Sequence, residues 1–327
     1  MSTEYVEKFG YRKYSGKTNP RWKRVINLAW FEMTSTWRKS TFGKALLIII
    51  LVVNFIGIFS LGTANFSLPK GLNEVEKIER VRKELSNLIS YYLSITSQSL
   101  RPEGLPDPYG IMNLGFLLVP LLGIVGSGMF ADDKQGHLIE IYLSKLRRSE
   151  YAIGKIGAVF LYNNIIITIP MVISSLLFVQ AFREDHLNYL DVYLNIVIFG
   201  FVITLLLGII ILFLSIIVEK RSYASLIFII LFFLGSIFGS IIYQNNPSNE
   251  FLLLIPNDTF FTLLGFSITG IWRLIPVNLD IDQRYVIDLN DGLGLEFYHI
   301  WGVVLMLILF FSLLLYFRLK RLTTKEL

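Results

Sequence analysis

The chain has 327 residues, 54% of them hydrophobic and only 17% charged, with a formal net charge of +5. Soluble domains run nearer ~25% charged, and the mean hydropathy of +0.58 excludes an ordinary soluble domain. No cysteine is present, which excludes disulfides, thiolate metal sites, cysteine nucleophiles and palmitoylation.

Residues 1–44 are polar and basic, and no secretory signal is visible in them. The run from Gly10 to Thr18, GYRKYSGKT, imitates a phosphate-binding loop. Five residues rather than four separate its glycines, Tyr11 stands where the first glycine belongs, and no apolar strand precedes it. Nucleotide binding is therefore not expected there. Asn19 suits a helix N-cap and Pro20 a first helical turn. Trp22, Ile26, Trp30, Met33 and Trp37 then recur every three or four residues, with Arg24, Asn27, Ser35 and Arg38 largely opposite. Tryptophan favours the headgroup region and basic groups favour anionic lipid. The pattern predicts an elbow helix lying on the membrane surface, anchored by Trp22, Trp30, Trp37, Arg24 and Arg38.

Six apolar runs follow, at 45–61, 111–131, 153–178, 192–218, 224–243 and 300–316. Each approaches the ~20 helical residues needed to cross ~30 Å of hydrocarbon. Between the first two, segment 62–110 carries Val75, Ile78, Val81, Leu85, Leu88 and Tyr92 at helical spacing, an amphipathic outer helix. The third run contains Asn163, Asn164 and Pro170, which mark either a pathway-facing surface or plain helix packing. Loop 219–223 makes the fourth and fifth runs a tight hairpin. In the outer segment 244–298, residues 259–275 are apolar but interrupted by Gly265, Gly270 and Arg273. They read as a re-entrant or surface element, with a seventh span as the competing reading. The expected architecture is an all-α integral membrane protein of six transmembrane helices, closed by the helix and basic tail of 299–327.

The loop at 132–150 is the most informative connection. Leu138, Ile139, Tyr142 and Leu146 form a short amphipathic helix, with Gly136 before it and Arg147, Arg148 and Glu150 after it. A short helix with an apolar face and charged ends suits docking of a soluble partner. In the longer run FADDKQGHLIEIYLSKLRRSEYAIGKIG, the residues Asp133, Gly136, Leu138, Leu143, Ser144, Arg148, Glu150, Tyr151, Gly154 and Lys155 resemble the loop of the type-2 family of ATP-binding-cassette (ABC) exporter permeases. His137 stands where that family usually has Thr, and the Pro that usually follows Leu-Ser is missing. The start, YRKYSGKTNPRWKRVINLAWFEM, is also similar to the family's N-terminus.

The resemblance implies a permease subunit that pairs with a second permease subunit, identical or related, around a pathway. It implies separate cytosolic ABC ATPases docked on the coupling loop through Leu138, Tyr142, Leu146, Arg147, Arg148 and Glu150, and beneath the elbow. ATP and magnesium would be bound by that partner, and this chain is expected to hold no cofactor and perform no catalysis. His137, His186 and His299 form no metal motif, and no HExxH or GxSxG run is present. Nucleic-acid binding is not expected, because the basic residues read as membrane-flanking. Asn65 and Asn257 begin possible glycosylation triplets. Two other classes compete: a non-transporting anchor or signalling subunit presenting 62–110, and an ion-coupled carrier or channel. The near absence of acidic residues within the spans disfavours the carrier.

With both termini in the cytoplasm, the inner segments hold 21 basic and 9 acidic residues and the outer segments 9 basic and 16 acidic. That division, +12 against −7, follows the positive-inside tendency of a plasma-membrane protein. Single cysteines introduced into this cysteine-free chain test it. An impermeant reagent on intact cells should label a cysteine at Glu76 and spare one at Ser144; the opposite result would sink the orientation.

Overall fold

The computed structural model describes residues 20–39, 41–63, 75–79, 81–82, 85, 92–93, 114–136, 138–182, 184–245, 254–256, 258–269 and 297–325. The Asn19 cap, the run at 10–18, His137, Leu88, both glycosylation asparagines and 270–296 lie outside them. The described residues contain no strand. The helices are α1 (Arg21–Lys39), α2 (Thr41–Thr63), α3 (Gly115–Gly126), α4 (Gly128–Gln135), α5 (Leu138–Lys145), α6 (Arg148–Ile166), α7 (Thr168–Ala181), α8 (Leu190–Ile217), α9 (Arg221–Asn245), α10 (Asp258–Thr269) and α11 (Phe297–Lys325).

Five stretches are long and apolar enough to cross a membrane: α3 with α4, α6 with α7, the stretch from His186 to the end of α8, α9 and α11. A sixth counts only where α1 and α2 are taken together, and those two are bent by 82°. The first expected span falls within α2, and each of the others largely coincides with one of these stretches. The hairpin between α8 and α9 is tighter than expected, since only residues 218–220 separate them.

Two of the spans are broken, and each break has a local repair. Between α3 and α4, the Ser215 hydroxyl donates to the Ser127 carbonyl at 2.6 Å and accepts from the Phe130 and Ala131 amides at 3.0 and 3.1 Å. A side chain on α8 thus satisfies backbone groups that the interruption releases. Between α6 and α7, the helix is interrupted at Ile167, whose φ of −103° and ψ of −61° stay in the right-handed helical region. Pro170 sits in the first turn of the new helix, where a missing N–H costs nothing.

Helix α8 is the hub, packed against α3, α4, α6, α7, α9, α10 and α11. Small residues permit the close approaches. A Cβ on Gly200 would meet the Thr168 hydroxyl oxygen at 2.4 Å, and one on Gly126 would meet Ile211 at 2.6 Å. Only 17% of the span in α11 is buried inside the chain, so most of that helix faces outward.

Segment 62–110 is described only in part. Val81, Leu85 and Tyr92 of the expected stripe are buried, whereas Val75 is exposed. Arg82 donates to Asp191 at 2.8 Å and to the Asn188 carbonyl at 2.9 Å, and Lys77 pairs with Glu184. This stripe therefore covers the bundle end opposite the α5 loop. Helix α10 has 12 residues and rises ~18 Å, well short of the ~30 Å hydrocarbon core. Phe260, Phe261, Leu263 and Leu264 are buried against α8, α9 and α11, so α10 is an inserted element rather than a span over its described length.

Helix α1 lies across α6, in the most extensive helix contact among the described residues. Gly154 makes this possible, because a Cβ there would meet Leu28 at 2.5 Å. Replacing Gly154 with Leu should lift α1 off α6 and destabilise the protein by about 1–3 kcal/mol, the usual range for overpacking. Thermal aggregation of the purified chain reads this, and an unshifted midpoint would contradict the packing.

Candidate functional site

The site begins with a lysine where a membrane protein avoids one. The Lys155 side chain, on the second turn of α6, has no solvent exposure. Its Nζ lies 2.9 Å from Glu32 Oε1 of α1 and 2.7 Å from Asp133 Oδ2 of α4. Both carboxylates are themselves buried. A buried charge is tolerated only when paired and hydrogen-bonded. Two tyrosines complete the set. Tyr151 donates to Asp133 Oδ2 at 2.6 Å, and Tyr142 of α5 donates to Glu32 Oε1 at 3.1 Å. The two rings stack at 5.6 Å, and Nζ of Lys155 lies 5.6 Å from each ring centre. Burial, and then the Glu32 and Asp133 carboxylates, push the Tyr142 phenol well above its ordinary range, so it remains a donor.

A second connection fastens the far end of α5. Glu150 is buried and accepts the Arg147 amide at 3.1 Å, capping α6. Its other oxygen lies 3.4 Å from Arg24 of α1, and Arg24 also donates to the Lys145 carbonyl at 3.1 Å. Arg21 approaches the same carboxylate at 3.9 Å but is largely exposed, so that pair contributes little. A third connection joins the hairpin: Arg221 donates twice to the Ile124 carbonyl and faces Asp132 at 3.8 Å.

The predicted coupling residues therefore divide between two faces. The stripe of Leu138, Ile139, Tyr142 and Leu146, read from the sequence as a docking face for a soluble partner, does not all face outward. Ile139 is buried, and Tyr142 and Leu146 pack on the core. The exposed apolar residues of α5 are Leu138 at 39% and Ile141 at 60%. Arg147 is exposed and Arg148 half-buried.

The elbow residues divide similarly. Trp22, Ile26 and Trp30 are exposed along with Phe31, while Met33 is buried. Trp37 turns inward, its ring 5.9 Å from that of Tyr162. Arg24 is spent on Glu150, and Arg38 is exposed.

The candidate pathway residues lie among helices. Asn163 is buried and donates to the Thr204 carbonyl at 3.3 Å. Asn164 donates to the Thr204 hydroxyl at 2.9 Å and accepts from Thr168 at 2.6 Å. With Pro170 buried at the break, the three hold α6 and α7 against α8.

Sequence reasoning gave no role to Glu32, Asp133, Tyr151 or Lys155. Three of them stood within the motif quoted above. The only signal for Glu32 was that it is the one acid in α1.

A family model described as ABC-2 family transporter protein matches residues 12–277, from ahead of α1 to beyond α10. The chain belongs to the ABC-2 transporter family. No curated protein matches it. ABC-2 membership makes the chain a multi-pass membrane component of an ABC transporter, a transport subunit rather than a catalytic one, and implies an ABC ATPase partner. The buried cluster lies wholly within the matched region of this ABC-2 protein.

Replacing Lys155 with Met should leave Glu32 and Asp133 buried without a cation and cost about 3–5 kcal/mol. The triple variant K155M/E32Q/D133N should recover much of that loss. Thermal unfolding in detergent compares them, and equal midpoints for K155M and wild type would contradict the assignment.

Proposed function

We propose that this chain is the permease subunit of an ATP-driven exporter, paired with a second permease subunit and driven by cytosolic ATPases at the α5 end. The observation that carries the reading is the buried cluster, which joins α5 to α1, α4 and α6. A load applied to α5 then acts on span ends rather than on a free loop. Arg21, Arg24, Lys134, Lys145, Arg147, Arg148, Lys220, Arg221, Arg318, Lys320 and Arg321 belong to the helix ends and connections of this side. Such a concentration favours the cytoplasm. The 82° turn from α1 to α2 suits a helix lying on the membrane, with Trp22, Ile26 and Trp30 at the headgroups.

The two faces of α5 receive different tasks in this reading. Leu138 and Ile141, with Lys145 and Arg147 at the helix end, meet the ATPase. Tyr142, Arg148 and Glu150 hold α5 from behind. Cargo is apolar or amphipathic, because the spans carry few charges.

The double variant L138D/I141D should lose co-purification of the ATPase, since interface energy concentrates in few apolar or aromatic anchors worth ~2 kcal/mol or more. Membrane insertion should be unaffected, because no span changes. Retention of the ATPase at wild-type level would overturn α5 as the docking element. Failure of wild type to retain any ATPase would overturn the exporter reading itself.

A further inference from the structure

A groove of about 770 Å³ opens between the ends of α8 and α11 and takes no part in the coupling described above. Its volume lies within the ~300–1,000 Å³ typical of ligand sites. Phe213, Ile217, Leu314 and Phe317 form its apolar wall, and Arg318, Lys320 and Arg321 form its rim. Leu314, Phe317, Arg318 and Arg321 follow helical spacing, so one face of α11 changes from apolar to basic within a turn. Among the described residues, no acidic side chain lines the groove. Arg318 also acts electrostatically on Lys134, whose charge is offset by Glu219. Among the described residues, the Arg318 Nε is buried without a hydrogen-bond partner, a donor with no acceptor.

The helix lengths place this rim at headgroup height. Helix α11 has 29 residues and rises ~43 Å, more than the ~30 Å hydrocarbon thickness, so its last turns stand in the interface. Helix α8 stops at Ile217, and beyond it Phe317, Lys320 and Arg321 of α11 are exposed while Leu319 is buried. We propose that the groove binds an anionic glycerophospholipid, with an acyl chain along the apolar wall and the phosphate against Arg318, Lys320 and Arg321. A second copy of the chain is a poor occupant. A symmetric contact would set two basic rims against each other.

Native mass spectrometry of the purified full-length chain tests this without nucleotide or ATPase, so its outcome is independent of the coupling assignment. Dioleoyl phosphatidylglycerol should bind in preference to dioleoyl phosphatidylcholine. The variant R318Q/K320Q/R321Q should weaken phosphatidylglycerol binding by about tenfold or more. The charge-matched control R12Q/K13Q/K17Q, in the segment ahead of α1, should not. The variant L314W keeps every charge, fills the wall and should also weaken binding. Equal binding of the two lipids, equal loss in the control, or full binding by L314W would overturn the proposal. So would displacement of the lipid by equimolar inorganic phosphate, which would leave a headgroup site with no place for a chain.

Discussion

Everything at the α5 end of this protein depends on keeping one ammonium group away from water. Lys155 has no solvent exposure, and its charge is balanced by Glu32 and Asp133 at 2.9 and 2.7 Å. An apolar plug of similar volume would fill the same space at lower desolvation cost. It would not demand that α1, α4, α5 and α6 hold one registry. Any slide that opens a single pair leaves a charge stranded in a poor dielectric, so the four elements move together or not at all.

The rest of the bundle shows the same economy with backbone groups. Hydrocarbon supplies no hydrogen bonds, so each interrupted helix needs a local answer. Ser215 answers for the break at Ser127. At Ile167 the backbone bonds run on, from the Ile167 amide to the Asn163 carbonyl and from the Met171 amide to the Ile167 carbonyl, while Thr204 and Thr168 bond the Asn163 and Asn164 side chains beside it. Helix α8 supplies Ser215 and Thr204, and this is why it stands at the centre with glycines where neighbours approach closely. Polar residues in these spans are therefore explained by packing before any passage need be invoked.

The spans were legible because bilayer thickness imposes a length that composition reveals directly. Helix α5 was legible from its periodicity. Which way each face turns was not. Spacing shows that Tyr142 and Leu138 are amphipathic partners on one helix, but only the position of Glu32 makes Tyr142 an inward residue. Trp37 reads like Trp22 in sequence, yet it packs on Tyr162 because α6 lies beneath that end of α1. Arg24 reads as a lipid anchor until Glu150, far along the chain, claims it. Such pairings depend on which helices become neighbours, and local pattern carries no record of that.

The partners of α1 have a further consequence for how the chain is made. Lys155, which neutralises Glu32, is added more than a hundred residues after it. Until α6 emerges, α1 carries a carboxylate with no cation and an apolar face, Leu28 and Ala29, with no helix to cover it. Helix α1 is thus made well before the helix that secures it. A chain arrested before residue 155 presents that uncovered face and charge together, a combination that quality-control proteases can read as unfinished.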